Sequence, residues 1–177
     1  MGYNTDAAGF AYPLHDQSLD TVMVIGNGGA AKAVLYACLQ RGVSSIVLVA
    51  RRHSASDAMV ARLQSAFKGT IQKRSFDSVD ETPRMDMVVN TTSVGMAPDD
   101  PLFPHIATMT SGQIFYDLIY SPWETPMMRM AQSKGATVIN GAWMLAGQGA
   151  VAFERLFGKP ADPVVMHRAL VDSIQQP

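Results

Sequence analysis

Thr21-Val22-Met23-Val24-Ile25-Gly26-Asn27-Gly28-Gly29-Ala30-Ala31-Lys32-Ala33 decides the fold. Thr21 to Ile25 is a short apolar run rich in β-branched residues, which reads as a buried parallel strand. Glycines follow directly, and Ala30 to Gln40 then carries apolar residues at helical spacing without a proline. A strand, a Gly-rich turn and a helix make a dinucleotide phosphate site. Gly26 lets the chain turn sharply, and Gly28 lets backbone approach a pyrophosphate with no Cβ in the way. The N–H groups and dipole of the new helix attract the anion. The sixth position of the G-x-G-x-x-G pattern is Ala31, small enough for the place where helix meets strand. A tight βα loop with no ligand is the plainer alternative for this stretch alone.

Outward from that turn, the pattern of strand and helix repeats. Ser45–Val49 is a second buried strand, Asp57–Phe67 a helix, and Thr70–Phe76 a weaker, edge-like strand charged at Lys73 and Arg74. Met85–Val89 and Gln113–Asp117 are the next strands, separated by a proline-rich surface loop, Ala97 to Pro104. Thr125 N-caps a helix that has Pro126 in its first turn, runs to Lys134 and closes at Gly135. Thr137–Asn140 is a sixth strand, Gly141 opens a long helix over Ala142–Phe157, and Asp162-Pro163 caps a last one over Val164–Ile174. The expected fold is α/β: a doubly wound parallel sheet, Rossmann-like, of about six strands with helices on both faces. The opening segment, Met1 to Asp20, reads by itself as a disordered tail with a short helix capped by Thr5 or Asp6 and limited by Pro13. His15–Asp20 is then a polar linker.

The chain has 177 residues, 47% hydrophobic and 16% charged, with a net charge of −1. That is one domain with a real core, and no global attraction to nucleic acid or anionic membrane. No apolar run approaches a membrane span or a signal peptide. The single cysteine, Cys38, sits mid-helix and fits a small core residue in a reducing cytoplasm. There is no His/Cys metal spacing and no Ser/His/Asp order. His105 has no partner nearby in sequence and reads as structural or solvated.

Two places beyond the glycine turn carry candidate chemistry. The second strand ends at Ala50-Arg51-Arg52-His53-Ser54, beside the position of an adenosine ribose. An acid there would bond the 2′-hydroxyl of NAD, but none occurs before Asp57. Two arginines and a serine suit a 2′-phosphate instead, which selects NADP; the alternative is a solvated basic turn. The fourth strand runs into Asn90-Thr91-Thr92-Ser93, small polar side chains at a C-terminal strand end, where such sheets place ligand contacts. On the long helix, Gln148 shares a face with Met144. A lone glutamine there serves equally as a satisfied core group or as a ligand contact.

Gly2-x-Asn4-Thr5-Asp6-x-x-Gly9, Gly26-Asn27-Gly28-Gly29-Ala30, Asn90-Thr91-Thr92-Ser93-x-Gly95-Met96, Tyr116-Asp117-x-x-Tyr120-x-Pro122-x-x-Thr125-Pro126 and Gly141-x-x-Met144-Leu145-x-x-Gln148 occur in this order. Together they resemble the cofactor-binding half of the shikimate dehydrogenase family, quinate/shikimate relatives included. The resemblance covers essentially the whole chain. It implies reversible reduction of 3-dehydroshikimate to shikimate with NADPH, in aromatic amino-acid biosynthesis. It also implies roles. Asp6 matches the acidic partner of a catalytic lysine, and Asp6, Tyr120 and Gln148 match substrate contacts. Gly26, Asn27, Gly28, Gly29 and Ala30 match the pyrophosphate turn and Arg51 the 2′-phosphate arginine. Leu118, Gly141 and Met144 match positions toward the nicotinamide. Ala50 and Arg52 stand where the family often has Asn and Thr, so ribose contacts are rearranged while positive charge increases.

The family's N-terminal substrate domain, with its lysine, has no counterpart here. On that reading residues 1–20 are a connecting segment and 21–177 the NADP-binding domain, with the shikimate site completed by the missing domain. A start immediately before the Asn-Thr-Asp motif favours a truncated chain, inactive by itself. The alternative is a stand-alone NADP-binding module, acting as a sensor or completing a site with a partner chain. An open domain face favours self-association, as a homodimer.

Overall fold

The computed structural model describes residues 4–51, 54–77 and 79–175. Six strands form one all-parallel sheet: β1 (Thr21–Ile25), β2 (Ser45–Val49), β3 (Thr70–Arg74), β4 (Met87–Asn90), β5 (Ile114–Asp117) and β6 (Thr137–Asn140). Their order is β3-β2-β1-β4-β5-β6. The chain winds outward from β1 to β3, returns to lay β4 on the other side of β1, and winds outward again. β1 and β4 therefore flank the point where winding reverses, and a crevice opens at their C-terminal ends.

Alternate residues of each strand feed two cores. Val22, Val24, Ile46, Leu48, Met87, Val89 and Tyr116 face one side. Helices α1 (Asp6–Ala11), α2 (Gly29–Gln40) and α3 (Asp57–Ala66) contribute Phe10, Leu35 and Val60 to that core, and α6 (Ala142–Phe157) adds Met144. Met23, Ile25, Val47, Val49, Val88 and Phe115 face the other side, with α4 (Pro104–Ala107) and α5 (Pro126–Ser133). Burial on both faces is why the central strands β1 and β2 read as unbroken apolar runs, whereas the edge strands β3 and β6 are only partly buried. The last helix, α7 (Pro163–Gln175), packs on α6, with the His167 ring stacked on Trp143 at 3.7 Å between centroids. No helix among the described residues is long and apolar enough to cross a membrane.

The opening segment departs from expectation. From Asn4 onward it is not a tail. Phe10 and Leu14 are fully buried, and Phe10 stacks on Tyr116 at 5.0 Å. Helix α1 passes so close to α6 that a Cβ on Gly9 would strike the Met144 carbonyl and the Gln148 backbone nitrogen. Apolar spacing too short to register as periodic thus anchors the segment. Neither Thr5 nor Asp6 supplies the side-chain cap; the Asp6 N–H donates to Asn4 Oδ1 at 2.9 Å.

Two strands begin later than the apolar runs suggest, at Met87 and Ile114, and the residue before each joins its strand to a neighbour by backbone bonds. Asp86 Oδ2 accepts the N–H groups of Asp20 and Thr21, both at 2.8 Å, and ties the foot of β4 to β1. Desolvation opposes its ionisation, but those bonds outweigh it and hold its pKa below the ordinary carboxylate value. Gln113 Nε2 donates to the carbonyls of Thr82 and Met85 at 2.7 and 2.6 Å. The proline-rich loop ends in the short helix α4, which buries His105 completely. Cys38 is buried in α2, and burial pushes its thiol up to about 12, so it is inert packing.

Candidate functional site

At the C-terminal ends of β1, β2 and β4 lies a cleft of about 530 Å³. β1 leads into Gly26, whose N–H donates to the Val49 carbonyl at 2.8 Å. Its φ of +109° is one that side-chain-bearing residues rarely adopt. A Cβ there would stand 2.6 Å from Thr91 Oγ1 and 2.9 Å from Thr92 Cγ2. Thr91 is pinned in turn, its N–H and hydroxyl both donating to the Ile25 carbonyl at 2.9 and 2.8 Å. The turn is therefore closed by contact between β1 and the loop after β4.

Gly28 is the opposite case. It is exposed, its φ of −80° is ordinary, and nothing lies within 4 Å of where a Cβ would stand. It precedes the first residue of α2, and no side chain caps that helix start. The first N–H groups of the helix, from Gly29 and Ala30 on, thus border open space and are suited to an anion.

Of the residues singled out in the sequence, Gly26, Asn27, Gly28, Ala50, Arg51, Thr91, Thr92 and Ser93 line this one cleft. Ser54 lines it with Arg51, at the end of β2. Arg52 lies outside the described residues. Gly29 and Ala30 stand behind the turn as the first residues of α2.

Asn90, Leu118, Gly141 and Met144 do not line the cleft. Asn90 is fully buried, with its amide bonded to Val94, Asp117 and Thr92. Leu118 is half-buried beside β4, its N–H donating to the Asn90 carbonyl at 3.1 Å. Gly141 packs against the Leu118 carbonyl so closely that no side chain fits. Met144 is buried in the core beneath α1.

The three residues matched to substrate contacts are placed as follows. Asp6 is half-buried at the start of α1, and Gln148 is half-buried on α6 where Gly9 crosses it. Tyr120 is exposed in the loop after β5. No hydrogen bond joins these three among the described residues. Two further residues were not legible from sequence. Phe76 walls the cleft two residues past β3, backed by Phe103 at 5.5 Å and the edge of His105 at 6.4 Å. Its position just beyond a strand's C-terminal end was the available signal. Asp117 is the other. It has no exposed surface, and burial pushes its carboxyl up to about 6, against the hydrogen bonds from Thr125, Ile119 and Asn90.

Known proteins are similar to this chain in sequence and in shape. The family model described as Shikimate 5'-dehydrogenase C-terminal domain matches residues 141–171. The shikimate dehydrogenase (NADP(+)) of Methanocella arvoryzae is 38% identical over 97% of this chain, which spans 65% of that relative's length. Among solved structures, a shikimate dehydrogenase in complex with NADP+ superposes with a TM-score of 0.88 at 28% identity, covering 99% of this chain and 63% of its own. The shikimate 5-dehydrogenase of Thermus thermophilus, in complex with NADP(H) and shikimate, gives 0.81 at 29% identity, covering 97% of this chain and 63% of its own. By sequence and by fold, the chain belongs to the shikimate dehydrogenase family and corresponds to the C-terminal part of its members.

Proposed function

We propose that the chain is the NADP-binding part of a shikimate dehydrogenase, which reduces 3-dehydroshikimate to shikimate once a substrate-binding domain is joined to it. The observation that carries this reading is the cleft itself. A glycine turn, an uncapped helix start and the Arg51 guanidinium border one cavity, with Arg51 and Ser54 at the end of β2. The open space over Gly28 and the N–H groups of α2 fit a pyrophosphate. Arg51 with Ser54 fits a 2′-phosphate through charge-assisted hydrogen bonds. Phe76 gives the adenine an apolar wall. When bound, NADPH supplies the hydride.

The chain's own residues then have distinct tasks. The Gly26–Ala30 turn and Arg51 hold the cofactor, with Asn27, Ala50, Arg52 and Thr91–Ser93 beside them. Leu118, Gly141 and Met144 build the nicotinamide side. Asp6, Tyr120 and Gln148 face the substrate, Asp6 as the carboxylate partner of a lysine in the part of the relatives that this chain does not span. Residues 1–20 form the connection to that part and 21–177 the cofactor domain. A reducible carbonyl needs a proton at oxygen as hydride reaches carbon, and a carboxylate-paired lysine is suited to give it. This chain by itself is accordingly inactive.

Titration calorimetry and an activity assay test the reading together. NADPH is expected to bind more tightly than NADH, by about ten- to a hundredfold, the worth of one charged hydrogen-bond site. Arg51→Ala should erase most of that gap. Shikimate-dependent NADP+ reduction should be negligible for the chain alone and appear on adding a relative's N-terminal domain. Equal affinity for the two cofactors, or full turnover by the lone chain, would overturn it.

A further inference from the structure

Three donors converge on the buried carboxylate of Asp117 at the end of β5. Asn90 Nδ2 donates to Oδ1 at 2.9 Å, the Ile119 N–H to Oδ1 at 3.2 Å, and the Thr125 hydroxyl to Oδ2 at 2.8 Å. Each comes from a different piece of the rim: the end of β4, the loop leaving β5, and the N-cap of α5. Thr125 Oγ1 also accepts the Met128 N–H at 3.1 Å, which directs its own hydrogen to Asp117. All three groups donate, and an ionised carboxyl meets them with acceptors on both oxygens.

Asn90 carries this geometry onward. Its other Nδ2 hydrogen goes to the Val94 carbonyl at 3.0 Å, and its Oδ1 accepts the Thr92 N–H at 3.0 Å and hydroxyl at 2.8 Å. The loop after β4 thus hangs from one amide whose bonding capacity is filled. On the other side, the Gly141 N–H donates to the Ile119 carbonyl at 3.0 Å and brings in the start of α6. None of these bonds involves Arg51 or Ser54.

We propose that Asp117 is a positioning residue for the nicotinamide half of the cofactor: through Asn90, Ile119 and Thr125 it fixes the rim formed by residues 91–95 and 118–120, while Arg51 and Ser54, which none of these bonds reach, hold the 2′-phosphate end of the cofactor at the end of β2. The inference rests on the cofactor function proposed above. Burying an ionised carboxyl is unfavourable, and a strand end with no task beyond packing has no need of one.

Calorimetry with two ligands tests it, NADPH and 2′,5′-ADP, the latter carrying the 2′-phosphate and adenosine but no nicotinamide. Asp117→Asn and Thr125→Val should each weaken NADPH at least tenfold and leave 2′,5′-ADP within twofold. Thr125→Ser, which keeps the hydroxyl, should restore NADPH affinity. That split is one that general loss of fold does not produce. Unchanged NADPH affinity in Asp117→Asn, or equal weakening of both ligands, would overturn the positioning role and leave the cofactor reading standing. If the unsubstituted chain binds neither ligand, the cofactor reading falls and takes this inference with it.

Discussion

Along the C-terminal rim of the sheet, the ends of β1 and β2 present backbone and a guanidinium to the cleft, whereas the ends of β4 and β5 turn polar side chains inward. At the first, Gly26 and Gly28 leave room and Arg51 supplies charge. At the second, Asn90 and Asp117 have no exposed surface and bond to each other. The two halves are sensitive to different things. A backbone cradle depends on φ and on missing atoms, and is indifferent to protonation. A buried carboxyl network depends on its donors and acceptors staying paired, and so on the protonation state of one group.

The largest effect is expected where the two halves touch. Gly26→Ala forces a side chain into a φ of +109° and sets its Cβ against Thr91 Oγ1 and Thr92 Cγ2. Left-handed backbone and an overpacked contact together cost about 3 kcal/mol. Urea denaturation should show that loss, with NADPH binding lost alongside it. A variant of unchanged stability would mean that the β1 turn and the β4 loop are not in rigid contact.

The second effect separates the halves by pH. The Asp117 carboxyl is raised to about 6 in the fold, against about 3.9 in an unfolded chain. The native state therefore binds the extra proton between those values. The stability this group contributes is fully present below about 4 and is lost as pH rises through about 6. Other groups move oppositely. Burial lowers the pKa of His105 and His167, so their contribution is present above about 6.5 and is lost as pH falls. Asp86 and Asp100 are held below the ordinary carboxylate value and matter only in stronger acid. The difference between the unsubstituted chain and Asp117→Asn isolates the one site. From pH 7 to pH 4.5 that difference should shift by about 2 kcal/mol in favour of the unsubstituted chain. A flat difference would mean that Asp117 titrates as an ordinary exposed acid.

The same contrast explains what the sequence disclosed. β1 and β2 lie where the apolar runs put them, because strands buried on both faces leave an uninterrupted signal. That the glycine turn and Arg51 come together was legible for a similar reason, since missing side chains and local charge are written in the sequence, and they border one cleft. Thr125 and Pro126 announced α5 by cap chemistry alone, and Thr125 does accept the Met128 N–H. The network was not legible, since Asn90 and Asp117 are 27 residues apart and only sheet register makes them neighbours. Sequence position suggested that Asn90 would face the ligand; tertiary bonding turns it inward. Phe10 and Leu14 were missed because two apolar residues in a short polar segment carry no period.

The smallest expected effect on stability comes from Gly28→Ala, and it probes the cradle most directly. Gly28 has an ordinary φ of −80° and ψ of −163°, and a Cβ there would meet nothing within 4 Å. The fold has no steric objection to alanine at this position. The remaining penalty is the weaker helix-capping preference of alanine over glycine, about 0.5 kcal/mol. A ligand would object strongly, because the new methyl stands where a pyrophosphate must reach the N–H groups of α2. Denaturation curves of this variant should therefore nearly overlay those of the unsubstituted chain, while calorimetry shows NADPH weakened about tenfold, roughly 1.4 kcal/mol. Together with Gly26→Ala, this divides the turn into one glycine that the fold requires and one that the ligand requires. If Gly28→Ala instead unfolds as readily as Gly26→Ala, or binds NADPH unchanged, the glycines serve only to turn the chain, and the contrast between the two halves of the rim loses its functional meaning.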